Sequence, residues 1–114
     1  MPTFNLHIQG ASLALTLGYS CNLELAGVVS ISGYLPRGSK TVVSPLSHAT
    51  PCRLYHGVAD QVVPIVRSVE ACKLLKFQGV GDVELTEYAG VEHSCELTEL
   101  SDIGNFIEQR LKRL

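Results

Sequence analysis

The chain has 114 residues, of which 46% are hydrophobic and 18% charged, and its formal net charge is −2. This length predicts one domain with a single modest core, and the near-neutral charge gives no electrostatic reason to expect nucleic acid as a partner. No apolar run approaches the roughly 20 residues that cross a bilayer, and the N-terminus lacks a signal-peptide pattern. A cytoplasmic protein without an integral membrane segment is therefore expected.

The cysteines and histidines give no sign of a disulfide scaffold or a metal site. No Cys-x-x-Cys pair occurs among the four cysteines, Cys21, Cys52, Cys72 and Cys95. We therefore expect free thiols, which are typical of a reducing compartment. No helix or knuckle spacing of metal ligands occurs around His7, His48 and His56. Neither a metal nor an organic cofactor is expected.

The first third of the chain predicts a strand, a helix and a strand. Pro2 to His7 alternates weakly between apolar and polar residues, which favours a short strand. Gly10 to Leu17 consists of helix formers that Gly18 can end, and it is apolar nearly all round, so we expect it to be buried. After a connector at 22–25, Ala26 to Ser32 is continuously apolar and β-branched, as in parallel strands covered on both faces.

The middle of the chain contains a loop and a further strand. Tyr34 to Pro51 holds three prolines and many Ser, Thr and Gly residues, which predicts a long loop. Loops of this length in compact domains are usually functional or mobile. Cys52 to His56 then predicts a short strand that Gly57 ends.

The last part of the chain predicts a helix, an edge strand and a final helix. Pro64 to Phe77 has an amphipathic pattern that Gly79 ends, with an apolar stripe at Ile65, Val69, Cys72 and Leu75. Val83 to Tyr88 alternates, which fits an edge strand with one wet face. Leu97 to Leu114 has one apolar side, formed by Leu100, Ile103, Ile107, Leu111 and Leu114. Alternation of strands and helices over residues 1–114 predicts a single α/β domain with a mostly parallel sheet of about four strands.

Two polar residues stand in loops that follow predicted strands. Asp60 comes three residues after Gly57, and His93 follows the next predicted strand. An acid and then a histidine in such loops is the second half of the Ser…Asp…His order of α/β-hydrolases. Taken separately, Asp60 also fits a turn residue or helix cap, and His93 also fits a surface histidine. His56 is expected to orient the turn before Asp60.

From about Gln9 to Leu111 the chain resembles the C-terminal half of a family of α/β-hydrolases, the cytosolic carboxylesterases, lysophospholipases and acyl-protein thioesterases. Six segments carry the resemblance in the family's order: Gln9 to Leu15, Leu25 to Val29, Ser32 to Pro36, His56 to Pro64 (His-Gly-Val-Ala-Asp, then Val-Pro), Tyr88 to Ser94, and Phe106-Ile107. The resemblance implies the C-terminal portion of an α/β-hydrolase fold.

The resemblance also implies roles for particular residues. His93 would be the base that takes the nucleophile's proton, and Asp60 the acid that fixes the histidine's tautomer. The backbone N–H of Gln9 would be one oxyanion donor. The implied substrates are acyl esters, lysophospholipids or acylated proteins, cleaved through an acyl-enzyme. Part of the substrate pocket would come from Tyr34, Leu35 and Pro36, for which a packed loop corner is the alternative interpretation.

The nucleophile position is where the chain departs from the family. The family's Gly-Phe-Ser-Gln-Gly-Gly aligns with 6–11, so that Ile8 replaces the serine and Leu6 the first glycine of the elbow. The family's N-terminal half, which supplies the second oxyanion donor, has no counterpart in the sequence. Ser12, Ser94 and Cys95 are poorly placed to substitute for the serine. We therefore expect this chain alone to be inactive.

A second hypothesis treats the chain as a non-catalytic module that binds an acyl chain or a protein. The absent neighbours of the sheet would leave an open edge and an apolar helix face, both of which favour association. Self-association of the chain is therefore expected under either hypothesis.

Overall fold

The computed structural model describes residues 3–7, 9–35, 42–90 and 97–113, and side chains within 13–35, 42–90 and 99–113. Strands and helices alternate along the chain, as the sequence predicts. The elements are β1 (Thr3–His7), α1 (Gln9–Ser20), β2 (Gly27–Ile31), a 3-10 helix (Pro45–Ala49), β3 (Cys52–Gly57), α2 (Ile65–Phe77), β4 (Val83–Tyr88) and α3 (Leu97–Leu111).

The four strands form one parallel sheet in the order β1-β2-β3-β4. The register pairs His7 with Ile31, Ile31 with Tyr55, and Gly57 with Tyr88. All four strands therefore end along one side of the sheet, here called the carboxyl edge. The predicted α/β class and the mostly parallel sheet of four strands are confirmed.

Two hydrophobic clusters lie on opposite faces of the sheet. On one face, α1 and α2 pack on alternate residues of the strands, such as Val28 and Leu54. On the other face, α3 packs through Ile103 and Phe106 on Val29. Every residue of β2 is buried, so the prediction of a strand covered on both faces is confirmed.

Helix α1 differs from the prediction in two respects. It continues through Gly18 to Ser20, because Gly18 is a packing residue and not a terminator. A Cβ on Gly18 would lie 2.8 Å from Val28 Cγ2, so only glycine lets the helix approach β2 this closely. The prediction that the whole helix is buried is also wrong, since Leu13 and Leu17 are 55% and 51% exposed.

The described part of the long loop is held against α1. Residues Pro45–Ala49 form a 3-10 helix that the composition did not predict. The Ser44 N–H donates to Tyr19 O at 2.7 Å, and Tyr19 Oη donates to Thr50 O at 2.8 Å. The Leu25 N–H in turn donates to Thr50 Oγ1 at 2.9 Å. These hydrogen bonds connect the residues on either side of the 3-10 helix to the end of α1 and to Leu25.

The two later helices bury somewhat different faces from those predicted. Helix α2 buries Ser68 and Ala71 with the predicted Cys72 and Leu75. Helix α3 ends at Leu111 and turns Ile103 and Phe106 inwards, while two residues of the predicted stripe, Leu100 and Leu111, are more than half exposed. The Phe106 side chain takes the inward position because it fits the space above Gly27, where a Cβ would lie 2.9 Å from the ring.

Two further predictions concern the edge strand and the thiols. Among the described strands β4 pairs with β3 alone, which fits the predicted edge position. The prediction of a single wet face is not confirmed, because the exposed Glu84 and Glu87 lie on opposite faces of the strand and Tyr88, on the face of Glu84, packs against the cluster under α3. Free thiols are confirmed for the three cysteines in the described ranges, Cys21, Cys52 and Cys72. None of the helices in these ranges combines the length and the hydropathy of a membrane span.

Candidate active site

Asp60 lies in a tight turn directly after β3, at the carboxyl edge. The Asp60 N–H donates to Gly57 O at 3.2 Å, and the turn itself runs from Asp60 to Val63. The carboxylate then folds back on its own turn, because Oδ1 accepts the N–H groups of Val62 and Val63, each at 2.9 Å. This is the local pattern by which aspartate stabilises turns. The residue is only 5% exposed, so the charge is held almost out of water.

His56 supports this turn from inside the protein, as the sequence predicts. The ring is completely buried. Its Nε2 lies 2.6 Å from Val63 O and 3.3 Å from Asp60 Oδ2. Since a carbonyl oxygen can only accept, Nε2 carries the hydrogen that this contact needs. The ring therefore contacts the first and the last residue of the turn.

The other side of the His56 ring contacts helix α2. Nδ1 lies 2.6 Å from Ser68 Oγ, and the Ser68 hydroxyl donates to Gly33 O at 2.7 Å. Ser68, His56 and Asp60 thus form a Ser-His-Asp chain. Ser68 and His56 are both fully buried, so no substrate reaches the hydroxyl, and the chain is a structural support and not a nucleophile. Ser68 was not predicted as part of the site, because its only signal in the sequence is its place on the buried side of a helix, three residues after Ile65.

A strand and a helix flank the predicted nucleophile position near the start of the chain. Strand β1 ends at His7 and α1 begins at Gln9, which leaves one residue between the strand and the helix. Ile8 itself lies outside the described residues. Gln9 is the first residue of α1, so its backbone N–H is one of the donors that a helix leaves free at its N-terminus. An oxyanion role for Gln9 remains a prediction.

His93 lies in 91–96, outside the described residues, so its contact with Asp60 remains a prediction. Elements on either side of 91–96 are joined by hydrogen bonds. Tyr88 Oη, at the end of β4, donates to Asp102 Oδ2 on α3 at 2.5 Å, and the Val58 N–H donates to Tyr88 O at 2.9 Å. Burial and the bond to Asp102 raise the pKa of the Tyr88 hydroxyl well above its usual range, so it keeps its hydrogen at neutral pH.

Two of the three predicted pocket residues, Tyr34 and Leu35, contact Arg67 on α2. The Tyr34 ring lies 4.5 Å below the Arg67 guanidinium carbon, and Arg67 Nη2 donates to Leu35 O at 3.2 Å. Leu35 is 8% exposed and belongs to the cluster under α1 and α2, whereas Tyr34 is half-buried. Pro36 lies outside the described residues. A pocket role for the three residues remains a prediction.

The described side chains offer no obvious metal centre. Within 13–35, 42–90 and 99–113, no three His, Cys, Asp or Glu residues come close enough to share an ion. Arg53 and Asp82 form a bidentate pair with bonds of 2.7 and 3.3 Å, but they lie at the opposite end of β3 from Asp60. That pair anchors the start of β3 and takes no part in the candidate site.

The chain is similar to known proteins both in sequence and in structure. The profile of the phospholipase/carboxylesterase family matches residues 8–111. Acyl-protein thioesterase 1 of Yarrowia lipolytica is 33% identical over 110 residues, covering 91% of this chain and 47% of that protein. The Neurospora crassa protein of the same name is 34% identical, covering 93% of this chain and 44% of its own length. The crystal structure of Arabidopsis thaliana SOBER1 superposes with a TM-score of 0.85 at 30% identity, covering 92% of this chain and 50% of that chain. The chain thus spans about half the length of the relatives it matches.

Proposed function

Because the chain belongs to the phospholipase/carboxylesterase family, we propose that it carries the acid and the base of a hydrolase that cleaves carboxylic esters or thioesters. In this proposal Asp60 is the acid and His93 the base. The substrates are acyl esters, lysophospholipids or acylated proteins in the cytoplasm. The chain by itself, with Ile8 in the nucleophile position, does not complete the reaction.

The observation that supports this proposal most is the placement of Asp60. A buried carboxylate stands one short turn beyond the end of β3, at the carboxyl edge. Ligands and catalytic groups of open α/β sheets gather outside the carboxyl ends of the strands. Two backbone N–H groups and the His56 ring hold this carboxylate in one orientation, as an acid that must orient a histidine requires.

In the proposed mechanism, proton transfer, oxyanion binding and acyl-group binding are carried out by different residues. His93 would accept the proton of a nucleophilic hydroxyl and pass it to the leaving group, while Asp60 stabilises the imidazolium between these steps. The Gln9 N–H, at the start of α1, would donate to the oxyanion. Tyr34, Leu35 and Pro36 would contact the acyl group. The hydroxyl is missing from this chain at Ile8, and removal of a triad serine costs about 10⁶-fold in turnover.

Hydrolysis of p-nitrophenyl butyrate by the purified chain tests the proposal. We expect a rate indistinguishable from that of His93→Ala and no labelling by a fluorophosphonate, which reacts with activated serines. Hydrolysis or labelling that the chain shows and His93→Ala lacks would reveal a nucleophile on this chain and refute the proposed inactivity.

A specific observation also favours a second candidate function, a non-catalytic module. Leu13 and Leu17, one turn apart on α1, are both half exposed, and β1 pairs with β2 alone among the described strands. An apolar surface and an unpaired strand side together favour a bound acyl chain or a protein partner. Saturable binding of a fluorescent fatty acid that Leu17→Lys abolishes would favour this function over the hydrolase.

A further inference from the structure

We propose that His56 is a positioning residue for Asp60, and that its two ring nitrogens have separable roles. In this proposal the Nε2 side fixes the carboxylate, and the Nδ1 side fastens the ring to α2. The proposal rests on the proposed function in one respect, namely that Asp60 is the acid whose orientation matters. It adds a residue, His56, that acts through Asp60 and does not touch the substrate.

The Nε2 side of the ring closes the turn that carries Asp60. Nε2 lies 2.6 Å from Val63 O, to which its hydrogen is directed, and 3.3 Å from Asp60 Oδ2. The same nitrogen therefore contacts the carboxylate of Asp60 and the carbonyl of Val63, the first and the last residue of the turn. Both partners and the ring are buried, so water is not available to replace the contact, and loss of the N–H would leave polar groups without a partner.

The contact with His56 complements the contacts on the other carboxylate oxygen. Oδ1 accepts two N–H groups of the turn, from Val62 and Val63, while Oδ2 faces the ring. With both oxygens contacted from different directions, rotation of the carboxylate would break bonds on both sides.

The Nδ1 side of the ring keeps the ring itself in place. Nδ1 meets Ser68 Oγ at 2.6 Å, and that hydroxyl bonds Gly33 O at 2.7 Å. Through this line the ring is fixed to α2 and to the residue that follows β2 by two positions. The line does not touch Asp60, so its loss should reduce the stability of the fold without a selective effect on the turn.

Two replacements at His56 separate the two roles. The side-chain amide of glutamine extends about as far as Nε2, and that of asparagine about as far as Nδ1, so His56→Gln can contact Val63 O and Asp60 while His56→Asn cannot. The readout is amide hydrogen exchange of Val62 and Val63, whose N–H groups are bonded to Asp60. The exchange of Leu54 and Val29, in the middle of the sheet, serves as the reference for global opening.

We expect Val62 and Val63 in His56→Asn to exchange about tenfold faster relative to the reference amides than in the unaltered chain, because the loss of a buried hydrogen bond changes local opening by roughly this factor. His56→Gln should restore the original ratio, and Ser68→Ala should leave it unchanged. Equal acceleration of the turn and the reference amides in His56→Asn, or selective acceleration of the turn in Ser68→Ala, would overturn the proposal.

A measurement on the unaltered chain applies if the His56 variants do not fold. Long-range ¹H–¹⁵N spectra should find a hydrogen on Nε2 of His56 in the folded protein. A hydrogen on Nδ1 alone would contradict the proposal, because Nε2 could then donate neither to Val63 O nor to Asp60. Both experiments report on Asp60 whether or not any ester is hydrolysed, so a failure of the positioning role and a failure of the proposed function give different results.

Discussion

Tyr88 and Asp102 are joined by a hydrogen bond of 2.5 Å that connects the end of β4 to α3. The two residues stand on either side of the segment that contains His93. The bond therefore joins the two elements that flank this segment, and its acceptor is a carboxylate, which gives stronger hydrogen bonds than a neutral acceptor. Tyr88 is also bonded to the segment that leads to Asp60, since the Val58 N–H donates to Tyr88 O.

Removal of the Tyr88 hydroxyl should weaken this connection. We expect Tyr88→Phe to lower the free energy of unfolding by roughly 1.5 kcal/mol, the usual contribution of a hydrogen bond to a charged group. Asp102→Asn keeps an oxygen acceptor of the same shape and should cost less. Urea unfolding of both variants measures the effect, and a double variant that costs the sum of the two single variants would show that the bond does not couple the residues.

Alkaline pH should destabilise the protein because several buried groups resist ionisation. Burial raises the pKa of the Cys52 thiol and of the Tyr55 hydroxyl, each to about 12, and it raises the pKa of Tyr19 further. The unfolded chain loses these protons above about pH 8.5 for the thiol and about pH 10 for the phenols, whereas the folded chain retains them. Stability that is present at neutral pH is thus lost as the pH rises.

The measurement is the free energy of unfolding between pH 7 and 11. We expect it to fall from about pH 8.5 and more steeply above about pH 10, by about 1.4 kcal/mol per pH unit for each group that only the unfolded chain ionises. Tyr55→Phe removes one such group, so the free energy of unfolding should fall less steeply above pH 10, by about 1.4 kcal/mol per pH unit. A free energy that stays constant up to pH 11 would mean that these groups ionise equally in both states.

Much of the fold could be predicted because its signals are local. The β-branched run at 26–32 has no polar alternation, and β2 is buried on both faces as that pattern indicates. Gly18 shows the limit of such signals. A glycine after an apolar run resembles a helix terminator, but Gly18 lies inside α1 because Val28 occupies the space of its missing side chain. That requirement comes from a residue ten positions away and leaves no local pattern.

Only part of the candidate site could be predicted from the sequence. The turn that contains Asp60 could be predicted because its own neighbours, Gly57 before it and Pro64 after it, are turn residues. The role of Ser68 could not be predicted, because it depends on contacts with His56 on β3 and Gly33 after β2, which are distant in the sequence. The face of α3 was also mispredicted, because Phe106 is directed inwards by the space above Gly27 and not by the spacing of leucines.

A serine restored at the nucleophile position should not by itself restore hydrolysis. We expect Ile8→Ser to remain within about tenfold of background on p-nitrophenyl butyrate, because Leu6 still occupies the first glycine position of the elbow and one missing oxyanion donor costs about 10²–10³-fold. Leu6→Gly with Ile8→Ser is the informative comparison, since it relieves the elbow alone. Strong hydrolysis by Ile8→Ser would show that the turn between β1 and α1 already has the catalytic geometry.

The chain should associate with itself through its open side. Among the described strands β1 pairs with β2 alone, so its other side offers backbone groups to a second strand, and Leu13 and Leu17 add exposed apolar surface on the helix that follows it. Burial of several hundred Å² would contribute several kcal/mol at about 25 cal/mol per Å². Size-exclusion chromatography with light scattering across a concentration series should therefore detect a dimer or larger species.

A matched pair of variants locates this interface. Leu17→Lys should shift the association to higher concentration, whereas Phe77→Lys, on the end of α2 and 90% exposed, should not. A monomer at every concentration, or equal effects of the two variants, would exclude an interface that contains α1.

The distance between Asp60 and His93 in an experimental structure of the chain is the most direct test of the proposed acid and base. We predict that a carboxylate oxygen of Asp60 lies within about 3.2 Å of His93 Nδ1, the range of an ordinary hydrogen bond. Two well-ordered side chains separated by more than about 6 Å, beyond any direct hydrogen bond, would contradict the assignment of this pair as the acid and base of a hydrolase.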